Sequence, residues 1–320
     1  MRKILLILAF ASITNAQDIL TQYRQGCMRD IQKKLDLDLG DKEYWQNVLS
    51  KIDTKYGYIE SAINLLTCNK KTASLELSVM DKNNSFKKIN SYSALTGKYS
   101  GDKKSEGDNK TPIGIYNIVK KLDKVDSFYG PLALVTSYPN LYDTYNNKDG
   151  HGIWIHGVPT DKQRNEYTKG CIVIGNKDLV CLDKSIDYDK TLLIINDTQI
   201  KTYPSKNELT TILSNLYTWR YAWIYNDAEK YLSFYDLAFK RFDGMDIDDF
   251  KRYKTRIFSK NEEKTIDFKD IKIIPYPNYE KNIYAVNFTE DYHSNSFSFS
   301  GNKTLIVKLT NNEFKILTEE

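Results

Sequence analysis

Histidine and cysteine are scarce in this 320-residue chain, which has three of the first and four of the second. His151, His156 and His293 have no acidic residues at matching spacing, which disfavours a metal hydrolase, and Cys27, Cys68, Cys171 and Cys181 show no zinc-site spacing. No segment reaches the roughly 18 to 20 apolar residues needed to span a bilayer. Net charge is only +4, too little to imply a nucleic-acid partner or strong attraction to a membrane surface. Internal repeats and low-complexity tracts are missing as well. What is present is ordinary for a globular protein with real cores: 41% hydrophobic and 28% charged residues, in a length that predicts two or three domains. The 24 tyrosines suit a β-rich or cleft-forming architecture.

The chain opens with Arg2 and Lys3, an apolar run from Ile4 to Ile13, and Thr14-Asn15-Ala16 as a small-x-small cleavage pattern. Residues 1–16 therefore read as a secretory signal peptide, and the mature protein is expected to be exported, with no transmembrane anchor. Loss of Arg2 and Lys3 lowers the side-chain charge from +4 to +2. No cysteine follows the cleavage site, so a lipid anchor is not indicated. In an exported chain Cys27 and Cys68 either pair as a disulfide or remain two buried thiols.

From Gln17 to Asn69 apolar residues recur near helical spacing: Ile19, Leu20 and Tyr23, then Tyr44, Trp45, Val48, Leu49 and Ile52, then Tyr58, Ile59, Ala62, Ile63, Leu65 and Leu66. This predicts a short N-terminal helical region, residues 17–70, that packs on the next domain or serves as a dimerisation arm. At Ser74 the period becomes alternating. Leu75, Leu77 and Val79 face one way, a turn follows at Asp81 to Asn84, and a second run covers Ser85 to Leu95, which together predict a hairpin. Further strands are expected at Ile115 to Val119, Leu132 to Thr136, Gly152 to Ile155, Ile172 to Ile174 and Thr191 to Ile195. Many short strands with few helical patterns imply a mainly β sandwich or barrel over residues 71–198. Helical spacing returns from Lys206 to Arg241. Strands follow at Thr265 to Ile274, Ile283 to Asp291, Lys303 to Leu309 and Glu313 to Leu317, so residues 199–320 form a separate α+β domain.

The stretch Gly150 to Leu179 holds two of the three histidines and one of the four cysteines. A thiol attacks carbonyls as its thiolate, and a neighbouring histidine takes the thiol proton and later gives it to the leaving amine. Cys171 follows Gly170, which leaves room for a carbonyl substrate, and the N–H groups of these two residues are candidates for an oxyanion hole. His156, fifteen residues earlier in the chain, ends an apolar strand and can act as the base. The carbonyl of Gly157 can fix its tautomer. These residues describe an acyl-transfer site. Cys181 lacks such a context and reads as core, His293 as structural, and His151 as a strand-start residue at the edge of the site.

The segments His156-Gly157, Thr168-Lys169-Gly170-Cys171-Ile172 and Asn176-Lys177-Asp178 resemble the signature of the L,D-transpeptidase (YkuD-type) catalytic domain family. Upstream, Thr96-Gly97 and Gly107 to Gly114 are similar to that family's strand and loop before the site, and Tyr129-Gly130-Pro131 and Tyr138-Pro139-Asn140 resemble a subgroup. Where many relatives carry arginine two residues after the cysteine, this chain has Val173, which leaves Lys169 and Arg164 as candidates for a substrate carboxylate. Trp154, Tyr138 and His151 complete the expected substrate-binding set. The C-terminal third resembles NTF2-like cones through Trp219 to Trp223, Asp227, Tyr231 to Tyr235 and Val286-Asn287-Phe288. The whole architecture is similar to the cell-shape-determining murein L,D-carboxypeptidases.

The resemblance implies a mainly β YkuD-type sandwich or barrel, followed by an NTF2-like α+β domain. It implies a periplasmic enzyme without cofactor or metal, whose partners are peptidoglycan stem peptides. Cys171 would form a thioester at the third residue of the stem and release terminal D-alanine, with His156, Gly157 and Gly170 completing the catalytic set. Water as acceptor gives an L,D-carboxypeptidase; an amine from a second stem or a protein gives an L,D-transpeptidase. The resemblance also implies that the NTF2-like domain presents a pocket for substrate, whereas its aromatic stripe reads more simply as core. A rival of another class is a wall-binding module without catalysis, against which the intact His156, Gly170 and Cys171 stand.

Overall fold

Strands β2 (Asn64–Asn69) and β9 (Thr191–Asn196) lie side by side in parallel at the middle of an eight-stranded sheet. The apolar run Leu192 to Ile195 of β9 and the adjacent pair Leu65-Leu66 of β2 suit a position covered on both faces. Side-chain alternation splits them: Leu66, Cys68, Leu193 and Ile195 enter one core, while Leu65, Leu192 and Ile194 enter another. The computed structural model describes residues 19–82, 85–160, 166–197, 203–277 and 282–320. The expected signal peptide, through residue 16, lies outside the described residues.

Outward from the middle, the sheet runs through β3 (Ser74–Met80) to β4 (Phe86–Ser93) on one side. On the other it runs through β5 (Gly114–Leu122), β6 (Ala133–Thr136), β7 (Trp154–His156) and β8 (Ile172–Val173). Just past β4, Leu95 exchanges backbone hydrogen bonds with Val173 at 2.8 and 2.9 Å. The sheet thus curls until its two ends meet, giving the expected mainly β, barrel-like catalytic region. Helix α5 (Asn176–Ser185) follows β8 and buries Leu179 and Leu182 in the first core.

A second sheet, antiparallel throughout, has the order β1 (Tyr58–Ile59), β10 (Lys264–Pro275), β11 (Ile283–Ser294), β12 (Ser298–Thr310), β13 (Glu313–Glu319). Helix α6 (Lys206–Ile224) starts at a capping box in which Ser205 and Glu208 satisfy each other's backbone N–H groups. With α7 (Ala228–Ser233) and α8 (Ile247–Phe258), α6 covers one face of this sheet over a core rich in aromatic rings. The opposite face supplies Ile274, Ile283, Ala285 and Ile306 to the core that contains Leu65 and Leu192, so the two sheets share an apolar seam. Among the described residues no helix is long and apolar enough to cross a membrane.

Four expectations are corrected. Tyr58 to Leu66 is not helical: Tyr58 and Ile59 form an edge strand of the C-terminal sheet, and Leu65 and Leu66 belong to β2. Adjacent apolar pairs suit a strand buried on both faces as well as they suit a helical stripe, and here tertiary pairing decides. The N-terminal helices, α1 (19–25), α2 (Met28–Asp38) and α3 (Lys42–Ser50), do not pack on the catalytic sheet as expected. Helices α2 and α3 lie against the C-terminal domain, through a buried Arg220–Asp36 ion pair and Trp45 stacked on Tyr217 at 5.2 Å. Cys27 and Cys68 form no disulfide, since Cys27 is exposed ahead of α2 while Cys68 is buried in β2 and its thiol is pushed up to about 12 by burial. Cys181 is exposed rather than core, because Leu179 and Leu182 take the buried face of α5 and leave it on the other.

Candidate active site

The parallel pairing of β7 with β8 sets Ile155 opposite Ile172 and His156 opposite Val173. Both isoleucines are fully buried, so the period-two alternation sends His156 and Trp154 to the other face. Cys171 immediately precedes β8, on the face of Val173. The base candidate at the end of β7 and the nucleophile candidate just before β8 are therefore two residues apart in register.

His156 is almost wholly buried, at 1% exposure. Its Nδ1 lies 2.8 Å from the Gly157 carbonyl oxygen. A carbonyl only accepts, so Nδ1 carries the proton in the neutral ring and Nε2 is left as the basic nitrogen. The ring of Tyr129 meets the imidazole edge-on at 4.9 Å, and Tyr129 in turn packs on the half-buried Trp154 at 5.1 Å. Asn176 fixes the turn after His156, its side-chain oxygen accepting from the Val158 N–H at 2.9 Å. A Cβ on Gly157 would collide with that same oxygen. Glycine at 157 and asparagine at 176 thus form one device that holds the carbonyl that orients the histidine.

The turn before Cys171 is closed by Thr168. Its hydroxyl donates to the Cys171 carbonyl at 2.7 Å and accepts from the Gly170 N–H at 2.9 Å. Gly170 has φ +143, and a Cβ there would sit 2.9 Å from the Lys110 carbonyl oxygen and 3.0 Å from Ile153 Cδ1. Glycine is required at 170 by conformation and close packing. The expectation that the Gly170 N–H joins an oxyanion hole is corrected, because Thr168 already occupies it. Cys171 is half-buried, and its thiol donates to the Gly152 carbonyl at 3.4 Å.

The loop of residues 97–111 backs this turn. Asp108 accepts from Lys103 Nζ at 2.8 Å and from the N–H groups of Lys104, Lys110 and Ser105 at 2.8, 3.0 and 3.3 Å. Burial opposes its ionisation, but these donors outweigh that and hold its carboxyl at about 2. Lys98 lies over the rings of Tyr99 and Tyr167 at 5.3 and 5.2 Å.

The substrate-binding candidates separate. Trp154 is within the constellation, through Tyr129. Lys169 is exposed beside Gly170, and Val173 is buried, so that position offers no charge to a substrate. Arg164 lies outside the described residues. His151 is exposed, with Nδ1 4.0 Å from Glu106. Tyr138 is corrected from substrate contact to framework: it is buried against Tyr116, and its hydroxyl donates to the Asp149 carbonyl at 2.8 Å. Thr168, Asn176, Tyr129 and Gly152 were missing from the expected site set, although the first three lie in segments that carry the family resemblance.

A second concave site lies in the C-terminal domain, a cavity of about 660 Å³ whose lining includes Trp223, Arg241, Lys254, Glu290, Lys303 and Glu319. Lys254 stacks over Trp223 at 4.5 Å, and burial pulls its ammonium down to about 8. Burial pushes the Glu290 carboxyl up against the pull of Lys303 and Lys254. Glu290 Oε2 and Trp223 Nε1 are buried without a hydrogen-bond partner among the described residues.

Residues 65–204 match the L,D-transpeptidase catalytic domain family, and residues 211–320 match the Cds6 C-terminal NTF2-like domain. The helical cell shape determining protein Pgp2 from Campylobacter jejuni is 36% identical over 88% of this chain and 99% of its own, with a TM-score of 0.81. Bd1075 from Bdellovibrio bacteriovorus is 29% identical over 81% of this chain and 92% of its own, with a TM-score of 0.64. No curated protein matches the chain significantly.

Proposed function

Because this chain belongs to the L,D-transpeptidase (YkuD) catalytic domain family, in the form that carries a C-terminal NTF2-like domain, we propose that it is a cysteine-dependent peptidoglycan L,D-carboxypeptidase. It trims stem tetrapeptides to tripeptides in the periplasm, after export by its N-terminal signal peptide, and so remodels the wall that sets cell shape. The observation that carries this reading is the Nδ1 bond of His156 to the Gly157 carbonyl, which leaves Nε2 as the proton acceptor on the strand beside Cys171.

In the first half-reaction the Cys171 proton passes to His156 Nε2 and the thiolate attacks the carbonyl of the third stem residue. The C–N bond then breaks, and His156 returns the proton to the nitrogen of departing D-alanine. In the second half, water attacks the thioester and gives a proton to His156, the C–S bond breaks, and the proton goes back to sulfur. Developing charge on the carbonyl oxygen is assigned to the Cys171 N–H, since Gly170 donates to Thr168. Trp154 and Lys169 border the substrate, and Lys169 is the candidate partner of its carboxylate.

The C-terminal cavity supports a binding role for the rest of the substrate, because it sets cations and unpartnered polar atoms in an aromatic-lined space. Hydrolysis is favoured by the two-domain architecture, which resembles that of the cell-shape carboxypeptidases. The matched family is itself described as L,D-transpeptidase, and this favours transpeptidation as the second reading. A mass-spectrometric digest of tetrapeptide muropeptides, with and without an added amine acceptor, separates the two. Tripeptide and free D-alanine in both reactions support the first, and joined stems alone establish the second.

A further inference from the structure

The Gly152 carbonyl that receives the Cys171 thiol belongs to a segment, residues 146–153, with little regular structure. Asn147, Gly150 and Gly152 all have positive φ, at 55, 93 and 69°, and among the described residues nothing lies within 4 Å of a Cβ built at Gly152. On its C-terminal side the segment is fixed at Ile153, which is buried and accepts from the Thr136 N–H and hydroxyl at 3.2 and 2.7 Å. On the N-terminal side the anchors lie further back.

Lys148 Nζ sits between two carboxylates, 2.5 Å from Asp102 and 2.8 Å from Asp143, with side-chain exposures of 9, 19 and 0% for the three groups. Asp102 also accepts from the Ile113 N–H at 2.8 Å, which ties the bridge to the start of β5. Asp143 is part of the capping box of α4 (Leu141–Tyr145) and accepts from the Tyr116 hydroxyl at 3.0 Å. Next along the segment, Asp149 is held by the Glu106 N–H at 2.5 Å through its side chain and by the Tyr138 hydroxyl at 2.8 Å through its carbonyl. The bridge is braced from the other domain. Asn140, the cap of α4, donates from Nδ2 to the Tyr276 hydroxyl at 2.8 Å, and the Tyr276 ring meets Tyr142 edge-on at 4.6 Å.

We infer that Lys148 is a positioning residue for the nucleophile: its bridge between Asp102 and Asp143, braced by Tyr276 of the C-terminal domain, holds residues 146–153 so that the Gly152 carbonyl fixes the place of the Cys171 sulfur. The inference rests on the assignment of Cys171 as nucleophile. Desolvation offsets most of the attraction in a buried ion pair, so its net contribution to stability is small, but removing one partner alone strands the other charge.

The test compares wild type, Lys148→Arg, Tyr276→Phe and the charge-balanced double variant Lys148→Met/Asp143→Asn, which removes the bridge without stranding the Asp143 carboxylate and keeps an acceptor for Tyr116. Two quantities are read for each folded protein: kcat and KM for D-alanine release, and the pH midpoint of Cys171 alkylation by iodoacetamide, resolved by peptide mapping from the exposed Cys27 and Cys181. Displacement of about 1 Å at a reacting group costs up to about 100-fold, so the double variant is expected to lose about 10- to 100-fold in kcat with KM within about twofold. Its alkylation midpoint should fall, because the carbonyl that stabilises the neutral thiol is no longer held there. Lys148→Arg should recover most of the rate, and Tyr276→Phe, which keeps the ring contact, should lose about three- to tenfold. A folded double variant with wild-type kcat and midpoint overturns the inference, as does an equal loss in kcat and KM. A wild type that releases no D-alanine, while the midpoint still shifts in the double variant, sinks the proposed reaction and supports the positioning role.

Discussion

The two sheets of this chain treat polar groups in opposite ways. At the rim of the catalytic sheet, functional side chains are tied to the backbone: His156 to Gly157, Thr168 to Gly170 and Cys171, Asn176 to Val158. In the C-terminal cavity, Lys254 and Glu290 are buried with their ionisation opposed, and Glu290 Oε2 and Trp223 Nε1 lack a partner among the described residues. The first arrangement is finished before substrate arrives, as acyl transfer demands of groups that must act at fixed geometry. The second keeps hydrogen-bonding capacity in reserve, which a ligand can complete.

Substitutions in each region test these roles. The largest effect is expected from Cys171→Ala, which should lower D-alanine release by at least about 1,000-fold and leave the melting temperature unchanged, as followed by product chromatography and calorimetry. On the other side, Trp219 is fully buried and stacked on Tyr231 at 5.3 Å and Phe268 at 6.0 Å. Trp219→Ala should cost about 3 to 5 kcal/mol in denaturant unfolding. Asn176→Ala removes the acceptor that fixes the turn after His156, and should lower kcat by about tenfold with smaller change in KM; if it instead acts on stability alone, the catalytic turn is not the device described.

The smallest effect expected is a pH dependence. Burial sets Lys254 at about 8, below its ordinary value, so the ammonium that attracts an anionic ligand is present below that pH and lost above it. Muropeptide binding to the Cys171→Ala protein, measured by calorimetry, should weaken by up to about tenfold between pH 7 and 9, and the dependence should vanish in Lys254→Met. Stability moves the other way: the folded state releases this proton before the unfolded state does, so Lys254 destabilises the fold less as pH rises from about 8 towards the ordinary lysine value.

Much of this was legible in the chain. Alternating residues exposed the hairpin of β3 and β4, and the C-terminal strands fell close to their expected places, because a half-buried strand writes its period into sequence. His156 and Cys171 were legible as candidates through glycine and threonine neighbours whose roles are local. What failed was non-local. Leu65 and Leu66 look helical until β9 pairs beside them, and α5 has too few apolar positions to announce itself. Tyr138 looked like a substrate contact because nothing near it in sequence shows that Asp149 takes its hydroxyl. Gly170 N–H looked free for an oxyanion because the claim of Thr168 on it depends on a closed turn. The bridge of Lys148 joins residues 102, 143 and 148 and was invisible in sequence.

Carboxypeptidase activity requires water as the acceptor of a thioester formed at Cys171. Incubation of the protein with a tetrapeptide muropeptide in heavy-oxygen water, followed by mass spectrometry, tests this directly. The prediction is a tripeptide product with one heavy oxygen in its new carboxylate, formed together with free D-alanine and absent in Cys171→Ala. Crosslinked products without heavy oxygen, or labelled tripeptide still formed by Cys171→Ala, would contradict it.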